Sequence, residues 1–120
     1  MFDRKMFTRG QRGAHWHPDL VPGNAVVQCA PHKGLSGFHI SDVDTQFRKR
    51  GISHVMLCSM SANLCVESHL RDAEEHGYGV TVISDATASL GPDAYKAILT
   101  NYAFIAHESI TAEEALSRLA

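Results

Sequence analysis

Three cysteines and eight histidines supply most of the nucleophilic and metal-ligating chemistry of this 120-residue chain. One cysteine stands apart. Cys65 lies in Ser59-Met60-Ser61-Ala62-Asn63-Leu64-Cys65-Val66-Glu67-Ser68-His69, between the apolar run Val55-Met56-Leu57-Cys58 and a segment with helical spacing. At a strand-to-helix junction the backbone N–H groups lack partners and the helix dipole is positive, and both effects favour thiolate, the nucleophilic form. Cys29 and Cys58 sit inside apolar runs and read as core-packing thiols. Lys33, in Pro31-His32-Lys33, follows an earlier apolar run and is the cation best matched in position to Cys65.

The other chemistry-bearing residues carry weaker signals. His15 and His17 share a face only if their segment is extended, and no Cys/His pair has the spacing of a metal site, so the histidines read as structural and no metal or cofactor is expected. An odd number of cysteines without CxxC favours free thiols in a reducing compartment, most simply the cytoplasm. Trp16, Leu35 and Phe38 are candidates for lining an apolar pocket, with core packing as the equal alternative. Asp85 is expected to cap the turn into Ala86 and Thr87.

The elements that must position these residues alternate. Residues 1–24 have no clear period. Ala25-Val26-Val27-Gln28-Cys29 predicts a short buried strand stopped by Pro31, followed by a loop with two glycines, Gly34 and Gly37. Ser41-Asp42-Val43-Asp44 opens a helix with Val43 and Phe47 on one face and Gly51 as its stop. Val55–Cys58 is a second strand, and Leu64 to His76 keeps helical spacing through Val66, Leu70 and Ala73. Val80–Ile83 is a third strand, and Pro92 opens a helix to about Tyr102. Phe104-Ile105-Ala106 is a last short strand, and Thr111-Ala112-Glu113-Glu114 reads as a capping box. The order β-α-β-α-β-α-β-α, with strands too apolar for a wet face, predicts an α/β fold with a parallel sheet between helix layers. Ligands of such sheets bind beyond the carboxyl ends of the strands, where Lys33 and Cys65 both fall.

Composition excludes several classes. A net charge of -2 gives no electrostatic case for nucleic acid or an anionic membrane, and 44% hydrophobic with 20% charged residues is ordinary for one globular domain. No apolar run approaches the roughly 20 residues that span a bilayer, and no apolar h-region follows Met1-Phe2-Asp3-Arg4-Lys5.

Pro31-His32-Lys33, the block Met60 to His69, Gly77-Tyr78 and Ser84-Asp85-Ala86-Thr87-Ala88 together resemble the isochorismatase-like cysteine hydrolase superfamily. The likeness extends more weakly through Gly13 to Leu20 and to the C-terminus. It implies a three-layer, Rossmann-like α/β/α domain over residues 1–120 that hydrolyses a small amide-like (C–N) or vinyl-ether substrate through a covalent intermediate. By this resemblance Cys65 is the nucleophile, Lys33 its electrostatic partner, the N–H groups of Ser61 and Cys65 the oxyanion hole, and Met60–Ser61 the place of a cis peptide. Ser59 stands where the family usually has Gly. The family's third catalytic group, an Asp ending its first strand, has no counterpart here; Asp3 follows no apolar strand. The domain is therefore expected to lack the first two family strands, to expose an edge beside Val55–Cys58, and to form a homo-oligomer. The alternative is a catalytically incompetent truncated homologue with a structural or oligomerisation role.

Overall fold

The computed structural model describes residues 7–120, so Asp3 lies outside the described residues. Two 3-10 turns, Arg12–Ala14 and Pro18–Leu20, precede the regular elements. These are α1 (Val43–Lys49), β1 (His54–Met60), a π-helical turn (Ala62–Val66) continuous with α2 (Glu67–Glu75), β2 (Gly79–Ala88), α3 (Pro92–Ile105), β3 (Glu108–Ile110) and α4 (Ala112–Leu119). The three strands form a parallel sheet in the order β1-β2-β3. The α/β class read from the alternation is the observed one.

Burial follows the strand period. Val80 and Val82 of β2 face one layer, where they join Val55, Leu70, Ala73, Ile98 and Tyr102 in the main core. Val43 and Phe47 of α1 pack against the same cluster from its rim. Leu70, Ile98 and Tyr102 are among the largest fully buried side chains, and each aliphatic one contributes about 1.5–3 kcal/mol by leaving water. The other face of β2 carries Ile83, which meets Ile110 of β3 and Ala115 of α4 in a smaller cluster. α4 is held by the expected capping box: Thr111 Oγ1 accepts from the Glu114 amide while the Glu114 carboxylate accepts from the Thr111 amide.

Four expectations need correction. Residues 25–29 form no strand, and Val26 and Val27 are 56% and 43% exposed. A short apolar run becomes a strand only beside a paired neighbour, and none of the described strands lies next to it. Phe104-Ile105-Ala106 is not a strand either: α3 runs to Ile105, Phe104 points to solvent, and the last strand comes later at Glu108–Ile110. Asp85 does not end a strand or cap the turn after it. β2 continues to Ala88, and Asp85 accepts a 2.7 Å hydrogen bond from the Ala112 amide, a free donor in the first turn of α4. Cys58 is exposed and Cys29 only half-buried, rather than packed in the core. β1 is an edge strand among the described residues, and Cys58 lines a hollow beside Cys65 rather than the core.

The α1–β2 junction is tied by a polar trio. Asp44 binds Arg48 at 2.9 Å and accepts the Tyr78 hydroxyl at 2.7 Å. These bonds, Arg48 first and Tyr78 second, hold the Asp44 carboxyl below its ordinary value. A lowered native value stabilises the fold above the unfolded pKa of about 4, and the contribution is lost as pH falls through the native one. Asp44→Asn is expected to flatten the loss of stability below about pH 4. Urea unfolding of both proteins across that range measures it, and identical pH slopes would show that the carboxylate is not coupled to folding.

Candidate active site

Cys65 is carried by the π-helical turn between β1 and α2. Three local features shape its entry. The β1–β2 register shifts between Leu57, paired with Val82, and Ser59, paired with Thr87. Ser59 takes φ 149°, a region that favours glycine. The Met60–Ser61 peptide that follows is cis. The Ser61 carbonyl then accepts from the Leu64 amide at 3.1 Å and the Val66 amide at 3.3 Å, passing over the Cys65 amide between them. This widened spacing is the π geometry, which recurs at functional positions in helices.

The turn is fixed from two sides. On one, the buried Tyr102 of α3 donates its hydroxyl to the Ala62 carbonyl at 2.8 Å. Burial, ahead of the nearby Glu67, pushes this phenol up to about 12. On the other, His69 donates from Nδ1 to the Cys65 carbonyl at 2.7 Å.

Cys65 is half-buried and lines a cavity of about 210 Å³ with Leu57, Cys58, Ser59, Val66 and His69. A larger hollow of about 470 Å³, beside Leu35, His39 and Arg71, does not contain the cysteine. We place the candidate chemistry in the smaller one because Cys65 lines it. Two side-chain oxygens are buried without a hydrogen-bond partner among the described residues, Asn63 Oδ1 and Ser89 Oγ. Asn63 is in the Cys65 turn and Ser89 directly follows β2, so both sit at the carboxyl edge of the sheet.

The remaining predicted residues divide. Lys33 is exposed, in a bend of the loop before α1. That loop reaches the cysteine segment through its neighbours: the Gly37 amide donates to His69 Nε2 at 3.0 Å, and the His32 ring stands edge-on to the His69 ring at 5.9 Å. Phe38 is buried in the main core, Leu35 lines the larger hollow, and Trp16 is 61% exposed, so these three do not gather around one cavity. Cys29 has its thiol pushed up by partial burial and then by Asp42. No cluster of three His, Cys, Asp or Glu arranged to hold a metal is found among the described residues, and no helix among them is long and apolar enough to cross a membrane.

Residues 2–114 match the isochorismatase domain family. The chain belongs to that family. The isochorismatase-like chain is 40% identical over 99 residues to the ureidoacrylate amidohydrolase RutB of Caulobacter vibrioides, covering 81% of this chain and 43% of that protein. It is 43% identical over 82 residues to the RutB of Variovorax paradoxus, covering 63% and 31%. Among solved structures it resembles an isochorismatase-like hydrolase from Alkaliphilus metalliredigens, with TM-score 0.86 at 26% identity over 92% of this chain and 60% of that one. A cysteine hydrolase from Pseudomonas syringae gives TM-score 0.84 at 28% identity over 92% and 56%. The chain spans less than half the length of the amidohydrolases it matches.

Two residues of this isochorismatase-like site were not singled out from the sequence. His69 follows Cys65 by four, the spacing that puts two residues on one helix face, so periodicity held a usable signal. Tyr102 had none, because its contact with Ala62 joins residues 40 apart.

Two outcomes are expected. Ser59→Gly relieves a backbone cost of about 1–3 kcal/mol against an entropic penalty of about 0.5–1 kcal/mol, so thermal unfolding should show net stabilisation; a loss would mean the Ser59 side chain matters more than its φ. Tyr102→Phe strands the Ala62 carbonyl and is expected to cost about 1–3 kcal/mol at pH 7 in urea titrations. Because the native Tyr102 value lies above the unfolded one of about 10, its contribution is intact below pH 10 and lost as pH climbs toward 12. The gap between the two proteins should therefore narrow at alkaline pH.

Proposed function

We propose that this chain provides the nucleophile half of a cysteine hydrolase acting on a small amide-like substrate. The observation that carries the reading is the Cys65 turn: a half-buried thiol on a cavity at the carboxyl edge of a parallel sheet, with its own amide left out of the Ser61 carbonyl's bonds. The identity to ureidoacrylate amidohydrolases favours amide C–N cleavage over vinyl-ether hydrolysis.

In this mechanism the Cys65 thiolate adds to the substrate carbonyl carbon, and the carbonyl π electrons move to oxygen. The Ser61 and Cys65 amides receive that oxyanion, and Lys33 supplies positive charge to the thiolate and the intermediate. Collapse breaks the C–N bond, and the amine leaves with a proton. Water then cleaves the thioester and returns the thiol. The base that accepts the thiol proton comes from outside the described residues, from another part of a longer protein or from another chain. The isochorismatase-like domain acts as a homo-oligomer in the cytoplasm, a reading supported by the free thiols and by the exposed apolar residues of the edge strand β1, Met56 and Met60.

A second reading, a catalytically incompetent homologue with a structural role, is favoured by one observation: Lys33 is exposed and has no hydrogen bond or ion pair among the described residues.

Alkylation by iodoacetamide, followed cysteine by cysteine by mass spectrometry at neutral pH, separates the two. Cys65 is expected to react at least about tenfold faster than Cys58, although Cys58 is the more exposed. Cys29, its thiol pushed up, should be slow. Lys33→Ala should remove most of the Cys65 advantage. A Cys65 no faster than Cys58 would replace the hydrolase reading with the structural one.

A further inference from the structure

His69 bonds at once to the turn that carries Cys65 and to the loop that carries Lys33, and its two bonds define its state. A carbonyl oxygen only accepts, so the 2.7 Å contact to the Cys65 carbonyl requires a proton on Nδ1. The Gly37 amide only donates, so the 3.0 Å contact to Nε2 requires a lone pair there. The ring is therefore neutral, in the Nδ1–H tautomer, with both nitrogens occupied. It cannot take the thiol proton while these bonds stand, so it is not the missing base.

The loop it holds is otherwise fixed by a small number of side-chain contacts. No regular structure lies between residues 21 and 42. Its other anchors are the Phe38 ring in the core, His39 Nε2 at 3.4 Å from the Asp72 carboxylate of α2, the Ser41 hydroxyl on the Gly37 carbonyl at 2.9 Å, and Asp42, which accepts from the Ala30 amide at 2.6 Å. Gly37 is buried, and its lack of a side chain is what allows the approach. A Cβ there would stand 2.9 Å from Ser41 Oγ and 3.4 Å from His69 Nε2. Lys33 lies four residues before this tether, and His32 packs against the same ring.

We propose that His69 is a positioning residue that locks the Lys33 loop onto the Cys65 turn and so sets the distance between the cation and the nucleophile. The inference rests on reading Cys65 and Lys33 as the hydrolase pair, but the clamp itself is testable without activity. In the 120-residue chain labelled with 15N, the His69 ring should show a protonated Nδ1 and an unprotonated Nε2, and the Gly37 amide should be protected from hydrogen exchange. A protonated Nε2, or a Gly37 amide that exchanges freely, would overturn the clamp whatever Cys65 does.

Its consequence is read by Cys65 alkylation in a double-mutant cycle. His69→Leu keeps bulk and removes both bonds, and is expected to slow Cys65 about fivefold to tenfold, within the range for residues sharing one network. His69→Gln keeps an acceptor for Gly37 and should recover most of that rate. In a Lys33→Ala background, His69→Leu should have no further effect, because its influence passes through the Lys33 loop. Equal slowing in both backgrounds would overturn the positioning role, as would a His69→Leu protein with wild-type rates. If His69→Leu does not fold, His69→Ala, which also removes both bonds, carries the same comparison with and without Lys33→Ala, and equal slowing in both backgrounds again overturns the role. A wild-type Cys65 that reacts no faster than Cys58 would sink the hydrolase reading and this consequence with it, leaving the tether to be judged on the ring and amide signals alone.

Discussion

The parallel pairing of β1 with β2 is the constraint on which the rest of this molecule depends. It holds in regular register from His54–Gly79 to Leu57–Val82, and then slips so that Ser59 meets Thr87. Up to Leu57 the pairing buries Val55 against Val80 and provides the surface on which α1, α2 and α3 pack. Beyond it the chain must leave a sheet and enter a helix within a few residues, with few ways to satisfy its polar backbone. Ser59 with its positive φ, the cis Met60–Ser61 bond and the π-helical spacing of Ala62–Val66 are successive parts of that exit.

A thiol placed on such an exit acquires its surroundings from backbone geometry. The Cys65 side chain meets the cavity with no hydrogen-bond partner among the described residues; its carbonyl accepts from His69 and the neighbouring Ala62 carbonyl from Tyr102. The turn is thus pinned from its own helix and from α3, while the amide of the cysteine stays out of the Ser61 bonds. Fixing the carbonyls and sparing the amide is an arrangement that presents donors to a ligand without reorganisation. The same economy explains why Gly37 has no side chain: the loop that brings Lys33 must approach His69 backbone first.

The open side of the sheet has an equally direct origin. α4 packs on Ile83 and Ile110, and Met56 is 40% and Met60 64% exposed on β1, a strand paired along one edge only among the described residues. Larger members of the isochorismatase family share this part of the fold at TM-scores of 0.84 and above while extending well beyond it. The described residues hold their own core and the Cys65 turn, and the edge of β1 that is unpaired among them lies next to that turn rather than remote from it.

Local periodicity and capping, which act between residues no more than four apart, were legible in the sequence. They determined the alternation of strands and helices, the Cys65 junction, the Pro92 helix start and the Thr111–Glu114 capping box. The same short range explains the misreadings, because an apolar run such as Ala25–Cys29 or Phe104–Ala106 carries no record of whether a partner strand lies beside it. Tertiary structure alone decided that Asp85 would cap α4 from 27 residues away, that Tyr102 would hold Ala62 across 40, and that Gly37 would meet His69 across 32. Each of those bonds needs two segments brought together by the packing of the whole core, and that is a property no single stretch of residues encodes.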